Sequence, residues 1–385
     1  MHKFIQNIIP ILIMMLSIAS QAQMESFEPV TDETLLHPDS GDWLMYSRTY
    51  DNQRFSPLDQ INRNNVDQLQ MVWSHDMHDG TQENIPLVYK GIMFVANPRS
   101  VIQAVNAKTG ELIWEYKREL PADIDDHQNA VGRARTLAIY DDMIYHSAAD
   151  GYVIALDAKT GMLRWETFAH DYKTNTQHTT GPSVVKGKVI TGRNCGDTRK
   201  YCYILAHDAL TGKEVWRFFV PAGTGEPGGD TWGSMDDDLR LASPWGLPGS
   251  FDPERNLIYW GTANPAPHTR IKRHNGKPFD VSLSTPSELY SNSTLALDPD
   301  TGELAWYYQH LPGDDWDSDH THERILFRST FNPDPNQVKW INPNITRGQE
   351  RDMVVSVGEP GGLWVLDRND GTFLWTIPFP HDTPD

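Results

Sequence analysis

The chain has 385 residues, of which 38% are hydrophobic, and a formal net charge of −19. Because binding to nucleic-acid phosphates needs clustered lysine and arginine, this acidic balance argues against a nucleic-acid partner. The 13 tryptophans, 28 glycines and 26 prolines favour an all-β, turn-rich architecture over a helical one.

The N-terminus has the pattern of a secretory signal peptide. MHKF is a short positive region, IIPILIMMLSI is an apolar core, and SQA is a small-residue cleavage pattern ending at Ala22. The core is too short to span a bilayer, and no later apolar stretch exceeds it. We therefore predict that residues 1–22 are removed and that residues 23–385 form a periplasmic protein without a transmembrane segment. The alternative is a buried N-terminal helix.

Five similar segments recur along the chain, each with a turn followed by a tryptophan. They are VNAKTGELIWEY, LDAKTGMLRWET, HDALTGKEVWRF, LDPDTGELAWYY and LDRNDGTFLWTI, with Trp114, Trp165, Trp216, Trp306 and Trp375. In each segment a strand ends at a turn whose glycine takes a positive φ, and a second strand follows with the tryptophan facing inward. The pattern predicts a series of β-hairpins.

Repeats of about 50 residues, each with several short strands, are typical of β-propeller blades. One such sheet cannot bury both faces, so blades must pack on one another, with the tryptophan filling the gap between them. A stacked solenoid is the alternative, although its repeats are usually shorter. The long interval between Trp216 and Trp306 predicts insertions, and long loops on a rigid scaffold are where sites are usually built.

The only two cysteines are Cys195 and Cys202, in GRNCGDTRKYC. No histidine lies close enough in sequence to complete a zinc site with them, so in an exported protein we predict a disulfide. No G-x-G-x-x-G lies between a predicted strand and a predicted helix, and no Walker motif or G-x-S-x-G elbow occurs. Nucleotide cofactors and serine-hydrolase chemistry therefore have no support.

The segment PGDDWDSDHTHERI, Pro312 to Ile325, holds four aspartates, two before and two after one tryptophan. Asp317 and Asp319 are two residues apart, a spacing that points both side chains the same way in an extended segment. The cluster fits either a solvated acidic loop or a site for a hard cation built from oxygen ligands.

Several motifs closely resemble the quinoprotein alcohol dehydrogenases. They are GDWLMYSRTYDNQRFSPLDQIN, GEPGGDTW, GLPGSFDPERNLIYWGTANPAP and LALDPDTGELAWYYQHLPGDDWDSD. The resemblance runs from about Asp42 to Asp367. It implies an eight-bladed β-propeller that binds pyrroloquinoline quinone (PQQ) and a metal ion on its axis.

The resemblance also implies which residues bind the quinone. Glu83, Arg135 and Thr179 match family residues that contact it, and Trp245 matches the indole on which the flat quinone stacks. Taken alone, each of these residues has a structural alternative. Glu83 fits a surface carboxylate, Arg135 an ion-pair partner and Trp245 a core residue.

Asn264 matches the metal-binding asparagine, and Asp317 matches the catalytic base that takes the hydroxyl proton of the alcohol. Asp319 resembles the additional aspartate of members that use a lanthanide instead of calcium, so we expect one of these ions. The metal-binding glutamate of the family falls on Asp197, and the implied metal ligands are therefore Asp197, Asn264, Asp317 and Asp319. The other polar residues of the acidic segment are expected to be loop-surface charges, turn caps or polar loop residues: Asp314, Asp315, His320 and His322.

The chain departs from the family pattern in further places. The adjacent cysteines of methanol and ethanol enzymes are replaced by Asn129 and Ala130. A cationic residue near the quinone oxygens aligns with Glu359, which reverses the charge. The chain has only five clear turn repeats, whereas the family is longer, so we expect an incomplete propeller with exposed blade faces.

The resemblance implies a PQQ-dependent alcohol dehydrogenase that passes electrons to a c-type cytochrome. The chain has no C-x-x-C-H haem site of its own, and its acidic surface favours a basic acceptor. The alternative is a non-catalytic propeller that binds a protein or ligand, or an inactive fragment of a dehydrogenase.

Overall fold

The computed structural model describes residues 27–127, 135–277, 286–359 and 361–379. Within these ranges the chain forms 21 β-strands and only short helices. The predicted signal peptide at residues 1–22 and the pair Asn129 and Ala130 lie outside the described residues.

The strands form five antiparallel sheets that follow one another in chain order. The first sheet comprises β1 (Leu87–Tyr89), β2 (Ile92–Asn97), β3 (Val101–Asn106) and β4 (Leu112–Lys117). The second comprises β5 (Ala138–Tyr140), β6 (Met143–Ser147), β7 (Tyr152–Asp157) and β8 (Leu163–Phe168). The third comprises β9 (Ser183–Val185), β10 (Lys188–Thr191), β11 (Tyr203–Asp208) and β12 (Glu214–Phe219).

The fourth sheet comprises β13 (Ser250–Asp252), β14 (Leu257–Gly261), β15 (Ser293–Leu297) and β16 (Leu304–Gln309). The fifth comprises β17 (Ile325–Thr330), β18 (Trp340–Ile341), β19 (Glu350–Gly358), β20 (Gly362–Asp367) and β21 (Phe373–Pro378). Strands pair in sequential order in the first four sheets, whereas the fifth has the order β17-β19-β20-β21-β18. Sequential four-stranded meanders are the blades of a propeller.

The helices are short connections between these sheets. The α-helices are α1 (Asp32–Leu36), α2 (Ile124–His127) and α3 (Arg270–Arg273). Single 3₁₀ turns span Val66–Gln68, Pro98–Ser100, Tyr172–Thr174, Arg199–Tyr201, Gly229–Trp232 and Asp237–Leu239. None of the described helices has the length and apolar character needed to cross a membrane.

In each of the first four sheets, the outer-strand tryptophan packs on the hairpin turn of the next sheet. Trp114 Nε1 donates to Ala158 O at 2.9 Å. A Cβ placed on Gly161, at φ +71°, would come 2.6 Å from the Trp114 ring, so only glycine fits beneath the indole. The same arrangement joins Trp165 to Gly212, Trp216 to Gly302 and Trp306 to Gly371. The predicted all-β propeller is confirmed, and four of the five predicted tryptophans lie between blades. Trp375 pairs with Ile341 inside the fifth sheet.

Trp73 docks in the same way, although no turn repeat precedes it in the sequence. Its Nε1 donates to Ala107 O at 3.1 Å, and its ring covers Gly110. Residues 69–75 thus take the place of an outer strand, but they pair with no strand among the described residues. Met71 and Val72 are consequently 85% and 84% exposed.

The core lies between the sheets and consists mainly of aliphatic residues from their middle strands. One cluster extends from the first sheet to the fourth, and a second, around Tyr259 and Trp306, joins the fourth to the fifth. Cys195 and Cys202 form a disulfide, as predicted. This bond closes the loop between β10 and β11.

Candidate active site

The segment that leads into the first strand of each sheet carries a residue predicted for the site. Glu83 precedes β1, Arg135 precedes β5, Thr179 precedes β9, Trp245 precedes β13, and Asp317 and Asp319 precede β17. Asn264 instead follows β14. Because blades repeat around one axis, equivalent segments of successive blades come together on one side of the molecule.

The first half of the site is a chain of contacts from Glu83 to Trp245. Arg135 Nη2 lies 3.0 Å from Glu83 Oε2, and Arg135 Nη1 donates to Thr179 O at 2.9 Å. The Arg135 guanidinium also lies over the Trp245 ring, 5.0 Å from its centroid. Thr179 Oγ1 in turn donates to Trp245 O at 2.8 Å. These contacts hold the backbone of Trp245 and place the guanidinium against its ring.

The second half of the site is organised around Asp319. Trp245 Nε1 donates to Asp319 Oδ2 at 2.8 Å, and Asn264 N donates to Asp319 Oδ1 at 3.1 Å. Asp319 N donates to Glu359 Oε2 at 3.2 Å. Burial, with a smaller effect from the neighbouring carboxylates of Glu359 and Asp317, raises the pKa of the Asp319 carboxyl to about 6. The site therefore holds a carboxylate whose negative charge is poorly solvated.

Asp317 stands at the solvent side of the same site. Its backbone is left-handed, at φ +66°, and its side chain is 60% exposed. Asp317 Oδ1 lies 3.3 Å from His268 Nδ1, which is 3.0 Å from Asn264 Nδ2. His268 therefore links the two residues.

A cavity of about 360 Å³ lies between these groups. Its lining residues include Trp245, Asn264, His268, Asp317 and Asp319. The volume falls within the roughly 300–1,000 Å³ of small-molecule sites. Seven of the eight predicted site residues thus form one connected chain, and four of them line one cavity.

Asp197 is the exception. It is exposed, and its Oδ2 accepts a hydrogen bond from Asn175 Nδ2 at 2.7 Å. Its neighbours Asn194 and Gly196 line the cavity, but Asp197 does not. In the part of the chain that the structure describes, no three His, Cys, Asp or Glu residues converge as a metal-binding group.

The remaining residues fit the two groups that the resemblance implies. Trp245 presents a fixed aromatic ring and Arg135 a guanidinium, which suit a planar anionic ligand such as PQQ. Asn264, Asp317 and Asp319 bring amide and carboxylate oxygens to the same cavity, and these are the donors that hard cations prefer.

The sequence reasoning missed His268 and the contact of Glu359. His268 follows Asn264 by four residues in NPAPH, so a histidine near a candidate ligand was a visible signal. Glu359 was expected near the quinone oxygens, and the structure places its carboxylate on the backbone of Asp319. Only the fold reveals that contact, because the two residues are 40 positions apart.

The fold and the site together define a β-propeller protein with a polar small-molecule cavity where its blades converge. The chain belongs to the family described as "PQQ: Glucose/ethanol/alcohol dehydrogenase, beta-propeller domain". It matches this family over residues 43–380.

Similar proteins support this assignment. The chain is 34% identical over 352 residues to the quinohemoprotein alcohol dehydrogenase ADH IIB of Pseudomonas putida, covering 87% of this chain and 47% of that protein. It is 30% identical over 372 residues to an alcohol dehydrogenase (quinone) dehydrogenase subunit of Gluconobacter oxydans, covering 90% and 45%. A solved europium-containing methanol dehydrogenase has a TM-score of 0.77 and 28% identity, covering 90% and 60%. The chain spans about half the length of the curated relatives it matches.

Proposed function

We propose that the protein is a PQQ- and metal-dependent oxidoreductase that converts an alcohol to an aldehyde or ketone. The observation that carries this proposal is the placement of an aromatic ring and two carboxylates around one cavity. Trp245 donates to Asp319, and Asp317 lines the same cavity. The names of similar proteins, which are alcohol and methanol dehydrogenases, support an alcohol as the substrate class.

The site residues divide the tasks in this proposal, and Asp317 has two of them. Trp245 and Arg135 bind and orient the quinone, and Asn264, Asp317 and Asp319 hold a calcium or lanthanide ion. When bound, the quinone would supply the hydride acceptor, and the metal ion would supply the polarisation of that acceptor. Asp317 accepts the hydroxyl proton of the alcohol, since its exposed carboxylate reaches the cavity and His268 limits its orientation.

We further propose a periplasmic location and a c-type cytochrome as electron acceptor. The signal-peptide pattern and the Cys195–Cys202 disulfide support an oxidising compartment. The net charge of −19 would attract a basic acceptor.

The first prediction is that protein reconstituted with PQQ and calcium or lanthanum reduces an artificial dye when given a primary alcohol. Asp317→Ala should lower kcat on the order of 10²–10⁴-fold, because the positioned base is lost. Asp238→Ala, which removes an exposed carboxylate outside the cavity, should leave kcat unchanged. Equal turnover in Asp317→Ala and wild type would remove Asp317 from the mechanism.

The second candidate is a non-catalytic propeller that still binds the quinone. The carboxylate of Glu359 beside Asp319, together with Asp197 outside the cavity, favours this reading. The same reconstitution separates the two, since PQQ binding without alcohol-dependent dye reduction would support the binding protein.

A further inference from the structure

Arg273 and Glu288 form an ion pair that is completely buried behind the cavity. Arg273 ends α3, and Glu288 lies on the segment before β15. Arg273 Nε is 2.6 Å from Glu288 Oε1, and Nη2 is 3.0 Å from Oε2, with both side chains 0% exposed. His274 Nε2 lies 2.8 Å from Glu288 Oε1. A two-pronged pair of this kind fixes the plane of the guanidinium.

The Arg273 guanidinium also holds the loop that carries Asn264 and His268. Its Nη1 donates to Pro265 O at 3.3 Å and to Pro267 O at 3.1 Å. Both carbonyls lie between the two cavity residues in sequence. One wall of the cavity is therefore bonded to a side chain that cannot turn.

The same guanidinium holds the opposite wall, the loop that carries Asp317. Nη2 donates to Asp314 O at 2.9 Å and lies 3.3 Å from Asp315 Oδ1. Asp315 Oδ1 also accepts from Arg270 N. The acidic segment is thus attached to α3 immediately before Asp317.

Asp314 connects the attached segment to the backbone on both sides of Asp317. Asp314 is 3% exposed, and its two carboxylate oxygens accept from Trp316 N and Ser318 N, both at 2.7 Å. These bonds close the backbone around Asp317 and hold its left-handed conformation.

We infer that Arg273, oriented by Glu288, is a positioning residue that sets the separation of the Asn264–His268 loop from the Asp317 loop. Isolated buried ion pairs contribute little net stability because both charges lose their hydration, so fixing a geometry is the better account of this pair. The catalytic consequence rests on the proposed function, because it requires Asp317 to be the base. The anchoring of the loop by Arg273 is independent of the proposed function.

The test compares Arg273→Lys with the matched control Arg118→Lys. Lysine keeps the charge but cannot make a two-pronged contact. Arg118 is a largely buried arginine that also uses two nitrogens on carboxylates, with Nε 2.8 Å from both oxygens of Asp150 and Nη1 2.8 Å from Glu166 Oε2. Neither Arg118 nor Arg273 lines the cavity. Amide hydrogen exchange at Trp316 and Ser318 should become about tenfold faster or more in Arg273→Lys and stay unchanged in Arg118→Lys. This readout needs neither cofactor nor substrate.

In reconstituted protein, Arg273→Lys should lower kcat per PQQ-loaded site about 10- to 100-fold, with the KM for alcohol unchanged. Arg118→Lys should change neither constant. If Arg273→Lys does not fold, Asp315→Ala tests the same attachment, because its half-exposed side chain can be removed with little cost to the core. It should also speed exchange at Trp316 and Ser318.

Unchanged exchange at these amides in Arg273→Lys, or in Asp315→Ala where that variant is used, would overturn the inference. Faster exchange with an unaltered kcat per loaded site would overturn the positioning role. Faster exchange in a protein whose wild type oxidises no alcohol would support the anchoring and count against the proposed function alone.

Discussion

Asp319 combines burial with a negative charge at the edge of the cavity. Its two oxygens already accept from Trp245 Nε1 and Asn264 N, and burial raises its pKa to about 6. Two hydrogen bonds therefore do not replace the hydration that the carboxylate has lost. A nearby cation would stabilise the negative charge of Asp319, and by Coulomb's law a trivalent ion would stabilise it more than a divalent one.

The second prediction is that Asp319→Ala lowers the preference of the protein for lanthanum over calcium. Removing one carboxylate costs a trivalent ion more than a divalent ion, so the ratio of the two affinities should fall about tenfold. Titrating the apo protein with each ion in the presence of PQQ measures this ratio, with Asp238→Ala as the control. A ratio that survives the loss of Asp319 would show that this aspartate does not select the ion.

For individual residues, the sequence indicated which residues belong to the site better than it indicated which of them are in contact. The contacts of Trp245 with Asp319 join residues that were named separately in two motifs. Asp197 was expected beside Asn264, but the loop closed by the disulfide directs its carboxylate to Asn175. His320 was expected to be a polar loop residue, whereas it is fully buried and stacks on His310 with ring centroids 3.6 Å apart. A single sequence does not show which way a loop turns.

Among the secondary-structure elements, the hairpin turn and the tryptophan above it form the repeating unit of packing. Trp114 depends on Gly161 in two respects, since the turn requires a positive φ and the ring leaves no space for a Cβ. The sequence predicted both the turns and the inward tryptophans, because the glycine and the alternating strand are local signals. It missed the docking of Trp73, because no glycine turn precedes that segment.

The third prediction separates these two roles of glycine. Gly161→Ala should lower the free energy of unfolding by about 1–2 kcal/mol through the left-handed backbone and by about 1–3 kcal/mol more through contact with Trp114. Gly348→Ala shares the positive φ, at +83°, but its new Cβ would meet no atom within 4 Å, so it should show the backbone cost alone. Urea denaturation of both variants measures the difference. Equal losses would mean that the ring does not limit the turn.

For the molecule as a whole, buried histidines make stability depend on pH. Burial lowers the pKa of His146 and His207 to about 3 and lowers that of His170, His178, His310 and His320 well below the usual value. These rings are neutral in the folded protein, whereas the unfolded chain protonates them below pH of about 6.5. The unfolded state thus binds more protons, so stability falls as the pH drops below that value.

The fourth prediction is a steep loss of unfolding free energy between pH 7 and pH 5. Each buried histidine contributes a slope of up to about 1.4 kcal/mol per pH unit. His207→Gln should reduce the slope, while His37→Gln should not, because the side chain of His37 is 75% exposed. Denaturant titrations at a series of pH values give the slopes. A stability that stays constant over this interval would contradict the assignment of neutral rings.

The architecture of the whole chain was largely predictable, since five tryptophan repeats became five sheets in the same order. The interval between Trp216 and Trp306 does hold the expected insertions, among them the segment with α3 and Arg273. What could not be predicted was the mutual arrangement of these insertions. The Arg273–Glu288 pair and the Asp314 bonds depend on contacts between loops that no repeat encodes.

Equilibrium dialysis of PQQ shows whether the cavity beside Trp245 binds the quinone. Wild-type protein loaded with calcium or lanthanum should bind the quinone, and Trp245→Ala should bind it about tenfold more weakly or worse, because the aromatic surface is lost. Trp340→Ala, which removes a half-exposed tryptophan from the fifth sheet, should bind as wild type does. Absence of binding in the wild type would show that the protein does not bind PQQ, and equal binding in Trp245→Ala would show that the quinone does not bind beside Trp245.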